Sequence, residues 1–329
     1  MQAITYTRYG PPEVLQISEV ARPAPGDDEV LIRVRAAEAT KSDCELRGFR
    51  FSVKWFWLPL RIAIGITRPR RTILGGYFAG DIVAVGKDVT RFSGGEAVYG
   101  SASLRMGAYG EYAALPADYT IGPKPRNMSY ADAAAVPLGG LNALHFMRLA
   151  RIRKGDRVLI NGAGGNIGAH AVMIARSMGA EVTAVDKAVK APFLQRLGID
   201  HFIDYTKEDF ASAGPHYDVV FDMVPRSSYR ACMSVLKPGG RYFSGNPRLS
   251  VMLRTVLTNR FSDKSASFAF AKETKEELST LTEMIEDGTI TTIVDRVFPM
   301  DEAAGAHRLV ETEERCGAIV LSISDAQET

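Results

Sequence analysis

The segment RVLINGAGGNIGAHAVMIARSMGAEVTAVD, residues 157–186, has the residue types and spacing to hold a phosphate. An apolar run, Val158, Leu159 and Ile160, leads into Gly162, Ala163, Gly164, Gly165, Asn166, Ile167 and Gly168. A helical pattern follows at once, with Ala171, Ile174 and Ala175 on one face, and Gly179 ends it. Glycines let the chain turn tightly and approach a pyrophosphate, and the helix then aims its free N–H groups at the anion. Gly168 allows the helix to pack closely on the strand. A second apolar run ends at Asp186, where an acid can take ribose hydroxyls and favours NAD over NADP. Lys187 and Lys190 follow; they either reach a ribose phosphate or remain solvated charges. The spacing departs from a strict GxGxxG, so a glycine-rich turn without a nucleotide is the competing reading, which the strand–loop–helix context disfavours.

Other chemistry-bearing residues are sparse. Cys44, Cys232 and Cys316 stand far apart, so neither a CxxC pair nor a Cys/His cluster offers a metal site. Three scattered cysteines suit a reducing compartment, and the expected location is the cytoplasm. His170, His201 and His307 are expected to be structural or exposed. Lys plus Arg number 40 against 38 Asp plus Glu, a formal charge of +2, so a nucleic-acid partner is not expected. With 46% hydrophobic and 24% charged residues, disorder and low-complexity classes are excluded. The opening MQAITYTRYG lacks the charged start and apolar run of a signal peptide. No apolar run reaches the ~20 residues of a membrane-spanning helix.

These groups must be positioned by two domains, which a chain of 329 residues suits. The first stretch reads as β. Val30, Ile32 and Val34 alternate onto one face of EVLIRVR, residues 77–85 form a small-residue apolar run, and Gly and Pro punctuate the rest. Helical patterns begin near Asp132 and Leu141. From Asp156 onward short apolar runs alternate with helical ones, which is the pattern of a doubly wound parallel sheet. The strands are expected at 157–161, 181–185, 201–203, 218–221, 240–244 and 265–270. A helix then covers 274–287, and the tail from 291 to 323 reads strand, short helix, strand, like the first domain.

Several motifs in order resemble the medium-chain dehydrogenases/reductases, in the zinc-free quinone oxidoreductase (zeta-crystallin-like) branch. They are the opening MQAITYTRYGPPEVLQISEV, ILGGYFAG at 73–80, the turn at 92–100, AAAVPLGGLNA at 133–143, the glycine loop, and YDVVFDMVPRSSYRACMSVLKPGG at 217–240. The resemblance implies an α/β fold: a GroES-like β-rich catalytic domain, residues 1–123 and 272–329, interrupted by a Rossmann NAD(P)-binding domain, residues 124–271. The family's zinc ligands would fall at Thr40 and at Gly75–Gly76–Tyr77, where no usable pair stands, so zinc chemistry is not expected. Its Asn-x-x-Asp reads Thr40-Lys41-Ser42-Asp43, which leaves Asp43 in place and lets Thr40 donate a hydrogen bond. Tyr77 replaces the family's Asp; it either packs in the core or donates a proton. Asn142 replaces a Thr, and Gly317–Ala318 replaces a Gly-Lys. Further cofactor contacts are implied at Val136, Pro137, Asn142, Tyr205, Gly245, Asn246, Phe268 and Phe270.

The resemblance implies hydride transfer from NADPH or NADH to a quinone or other activated enone, with proximity and hydrogen bonds doing what a metal does elsewhere. Asp186 favours NADH, while Lys187, Lys190 and the family favour NADPH. The alternatives are an enoyl or alkenal double-bond reductase, and a nucleotide-binding protein at a membrane surface with reduced turnover. A homodimer is implied. Two segments stand outside the family pattern. Residues 49–71 hold six basic residues, no acid and both tryptophans, Trp55 and Trp57; residues 248–260 add three arginines and no acid, with Leu249, Met252, Leu253, Val256 and Leu257 at helical spacing. They are expected to be lids, a dimer interface or a peripheral membrane contact.

Overall fold

The computed structural model describes residues 1–51, 57–214, 216–245, 248–269 and 271–324. Asn246, Phe270 and Trp55, singled out above, lie outside the described residues. The chain divides into two compact units. The described residues of Met1–Ser52, Phe56–Leu138 and Glu273–Thr329 form one, and those of Gly139–Lys272 the other.

The first unit is β-rich. β1 (Gln2–Thr5) pairs antiparallel with β2 (Gln16–Glu19). A seven-stranded sheet is built on β3 (Glu29–Ala39), β4 (Tyr77–Val85), β5 (Ala97–Ser101), β6 (Tyr112–Pro116) and β7 (Ile121–Pro123), mostly antiparallel. Helices α1 (Lys41–Gly48) and α2 (Trp57–Ile64) lie in the long connection from β3 to β4. The alternation read in the sequence puts Val30, Ile32 and Val34 in the core. The register then shifts between Val34 and Ala36, and Ala37 and Ala39 take the core positions instead. This bulge turns Glu38 and Thr40 to the other face; re-aiming side chains is what bulges do. On β4, Phe78 and Ile82 enter the same core and Tyr77 does not.

The contacts place α3 (Tyr130–Ala134) in this unit, because it packs on β3 and β4, whereas the sequence reading began the second domain at 124. α4 (Val136–Leu149) carries the division at 138/139.

The second unit is a parallel six-stranded sheet. Its strands are β8 (Arg157–Asn161), β9 (Glu181–Asp186), β10 (His201–Asp204), β11 (Tyr217–Asp222), β12 (Leu236–Ser244) and β13 (Ser265–Phe268). The order β10-β9-β8-β11-β12-β13 reverses direction at β8, the doubly wound arrangement whose switch point binds ligands. α5 (Asn166–Ser177), α6 (Ala191–Arg196), α7 (Tyr229–Ser234) and α8 (Leu249–Phe261) connect the strands. The chain then rejoins the first unit. There α9 (Lys275–Glu286), β14 (Val294–Pro299), α10 (Ala303–Thr312) and β15 (Ala318–Ser322) follow, and β15 pairs antiparallel with β3. Among the described residues, no helix is long and apolar enough to cross a membrane.

Candidate active site

The phosphate loop sits at the carboxyl end of β8. Gly162 adopts a φ of 85°, which glycine reaches without strain, and its N–H donates to the Val185 carbonyl at 3.0 Å. Gly165 is the N-cap of α5 and has no side chain to accept from the first turn. With glycine at the N-cap, the first turn of α5 leaves room for an anion to approach its N-terminus. A Cβ on Gly168 would stand 2.3 Å from the Gly162 carbonyl, so only glycine lets α5 close onto the loop. The Asn166 side chain is turned toward α4, where a Cβ on Gly139 would meet its Oδ1 at 1.8 Å. Asn142, half-buried, lies on the same helix, α4.

Asp186 ends β9 and is buried beside this loop. Its Oδ2 accepts from the Gly164 N–H at 2.8 Å and its Oδ1 from the Lys187 N–H at 2.8 Å. Lys190, also buried, places Nζ 3.4 Å from Asp186 Oδ1. Its chain crosses the open side of Gly164, where a Cβ would meet Lys190 Cδ at 2.4 Å. The acid and the lysine that the sequence set against each other thus form one ion pair. Lys187 lends its backbone. Tyr205, just past β10, is exposed, and its N–H donates to the Asp186 carbonyl. Gly245 follows β12, close to Met223, and Phe268 ends β13 half-buried.

A second acid braces the strand ends. Asp222 accepts from Asn161 Nδ2 at 2.9 Å, the Val224 N–H at 3.1 Å and the Tyr242 hydroxyl at 3.0 Å, and the Ser227 hydroxyl also donates to it. Burial pushes its carboxyl above the usual range, and those bonds oppose the shift. Val224 in turn lies 3.2 Å from the space a Cβ on Gly162 would fill. Sequence reading missed Asp222 because it sits in an apolar strand whose partners are scattered.

The first unit holds the catalytic candidates. Thr40 is the N-cap of α1 and Asp43 its third residue, and they form a capping box. The Thr40 hydroxyl donates to Asp43 Oδ2 at 2.6 Å and accepts from the Asp43 N–H at 3.0 Å. Gly75 N–H donates to Asp43 Oδ1 at 3.0 Å. Burial pushes the Asp43 carboxyl up, against hydrogen bonds from Thr40, Gly75 and Tyr109. Behind them lies a buried chain. Arg47 donates to His307 Nδ1 at 3.1 Å, which leaves Nε2 to donate to the Tyr109 hydroxyl at 3.0 Å. Burial and Arg47 hold His307 neutral, with its pKa near 3. Cys44 packs in the core beside it, as a small apolar residue.

Tyr77 is neither core nor free. It is half-buried, and its hydroxyl donates to Glu273 Oε1 at 2.6 Å. Burial, Glu273, Glu38 and Asp43 together push its pKa well above 10, so the phenol keeps its proton. The bulge in β3 brings Glu38 and Thr40 to the face that Tyr77 shares. Glu273 was not legible in the sequence, because nothing local links it to a residue in β4. Val136 and Pro137, implied cofactor contacts, are buried at the start of α4. His170 is buried and neutral, with a pKa near 4, while His201 is exposed and meets Glu181 at 2.9 Å. Among the described residues, no three His, Cys, Asp or Glu side chains gather as metal ligands.

Comparison with known proteins places this geometry. Residues 26–126 match the alcohol dehydrogenase GroES-like domain, and residues 197–321 match the zinc-binding dehydrogenase domain. The 2-methylene-furan-3-one reductase of Solanum lycopersicum is 30% identical over 333 residues, covering 98% of this chain and 79% of the relative. The quinone oxidoreductase of Sus scrofa is 29% identical, covering 98% and 97%. The solved quinone oxidoreductase of Coxiella burnetii superposes with a TM-score of 0.87 at 27% identity, covering 98% and 99% of the two chains. The first unit is GroES-like and the second Rossmann-like, and the chain is an oxidoreductase that belongs to the medium-chain dehydrogenase/reductase superfamily, in its quinone oxidoreductase-like branch.

Proposed function

We propose that the protein is a zinc-independent, NAD(P)H-dependent reductase of quinones or other activated enones. The observation that carries the cofactor is the Gly162–Gly168 cradle, which a Cβ at Gly168 would close. Gly162, Gly164, Gly165 and the first turn of α5 would hold the pyrophosphate, and Asp186 the ribose. Bound there, the dihydronicotinamide supplies a hydride, and an electron-poor acceptor carbon takes it without a Lewis acid. The relatives named for a methylene-furanone and for quinones support that acceptor class, and enoyl or alkenal double bonds belong to it.

The chain's own contribution is orientation and a proton. Thr40 and Asp43 fix the start of α1 through their capping box. Tyr77 is the proton source. Its phenol stays protonated, gives its proton to the reduced acceptor, and takes one back from solvent, while Glu273 orients the hydroxyl. Two electrons and two protons, one of them carried by the hydride, reduce a quinone to its diol or an enone to its saturated carbonyl.

NADH is the preferred cofactor in this reading, because the charge of Lys190 is already neutralised by Asp186. NADPH is the second reading, since Lys190 released from that pair can meet a 2′-phosphate. We infer a cytoplasmic homodimer, supported by β13, which ends the six-stranded sheet with an edge a second copy can extend. Peripheral membrane contact at 49–71 is supported by exposed Ile62 and Ile66 beside Arg68, Arg70 and Arg71. The test is oxidation of NADH and NADPH against a small quinone and an enal. Turnover with either acceptor supports the reading. Cofactor binding without turnover across both classes returns the protein to a nucleotide-binding role.

A further inference from the structure

Helix α8 is turned inside out. Its inward side carries Thr255, 4% exposed, and Val251, which packs against the core of the second unit. Asn259 fixes that rotation. Its Nδ2 donates to the Ala266 carbonyl and its Oδ1 accepts from the Ala266 N–H, each at 2.8 Å, clamping the helix to β13. The opposite side carries Leu249, Leu253, Val256, Leu257 and Phe261, all exposed, Leu253 at 68% and Phe261 at 79%. At 100° per residue these five fall within one arc, with Arg260 inside it and Arg254 at its edge, both exposed. Arg248 stands at the N-cap, and no acid occurs before Asp263, beyond the helix end.

An apolar arc with a polar residue beneath it is the reverse of what a surface helix presents to water, and marks a face that meets a partner. The charges choose the partner. Pairing α8 with a second α8 would set the arginines of both copies together without a helix acid to neutralise them, which is costly once desolvated. An anionic lipid surface accepts both parts of the arc: apolar side chains enter the headgroup–acyl boundary and guanidinium groups meet phosphates. We propose that α8 docks on an anionic membrane surface, with Leu253, Val256, Leu257 and Phe261 in the interface and Arg254 and Arg260 on lipid phosphates. The docking stands apart from the reductase reading and adds to it a route by which lipid-soluble acceptors reach the protein.

The test uses the full chain and sedimentation with phosphatidylcholine vesicles, with and without phosphatidylglycerol. The chain is expected to bind the anionic vesicles at low salt and to leave them as salt rises. R254Q/R260Q should weaken the partition by about 30-fold, and L253S/F261S should abolish it, with thermal unfolding unchanged because all four side chains are exposed. Absence of binding at low salt, equal binding to neutral vesicles, or wild-type binding by R254Q/R260Q overturns the proposal. So does a wild-type chain that ignores vesicles while L253S/F261S falls from dimer to monomer in light scattering, which would give the face to a second copy.

Discussion

The glycine loop of the second unit and the polar sheet face of the first are both built from few residues, but the two are built differently. The loop is local. Residues 162–168 follow one another, and Asp186 closes the next strand. The polar face is assembled from distant residues, Tyr77 finding Glu273, and the buried chain behind it likewise, Tyr109 finding His307. The loop tolerates little because backbone meets backbone, whereas the face depends on side-chain hydrogen bonds that can be removed singly.

Substitutions can break that contrast. Gly168→Val forces a Cβ onto the Gly162 carbonyl, so cofactor affinity should fall by about 100-fold, with a lower melting temperature; titration of NADH fluorescence checks it. Tyr77→Phe removes only the hydroxyl. It should lower kcat by about 100-fold with little change in stability, and unchanged turnover would remove Tyr77 as the acid. Asp186→Ala frees Lys190 and should move the ratio of kcat/KM toward NADPH by about tenfold.

The buried histidines sharpen the comparison through pH, one lying in each unit. His170 and His307 have folded pKa values near 4 and 3, against 6.5 for an ordinary histidine. On acidification the unfolded chain takes their protons first. Stability is therefore complete above 6.5 and is lost as pH falls below it, by about 1.4 kcal/mol per pH unit for each histidine. Asp43 and Asp222, pushed upward by burial, act with the opposite sign, and only between the ordinary 3.8 and their raised values. Urea unfolding at pH 6.5, 5.5 and 4.5 should show this slope, and His307→Gln should halve it. The smallest expected effect is that of a chelator. With Thr40 where the family's zinc cysteine would fall, dialysis against EDTA should leave turnover unchanged.

The same contrast explains what was legible in the sequence. The strands of the parallel sheet and the glycine loop follow from short-range pattern: apolar runs, punctuating glycines and an acid at a strand end. The β3 alternation was legible up to Val34 only. The bulge that turns Glu38 and Thr40 onto the face of Tyr77 depends on pairing with β4, which no local pattern records. Glu273, Asp222 and the Arg47–His307–Tyr109 chain were missed for the same reason. The α8 apolar spacing was visible, but the direction it faces was not, because the Asn259 clamp on Ala266 sets it.

The most direct test of the central claim is transfer of deuterium from cofactor labelled at nicotinamide C4 to an enone, read by mass spectrometry of the product. The account predicts one deuterium on the carbon β to the carbonyl and a solvent proton on the α carbon. Tight cofactor binding with no labelled product from an enone, and no cofactor oxidation by a quinone, would contradict it.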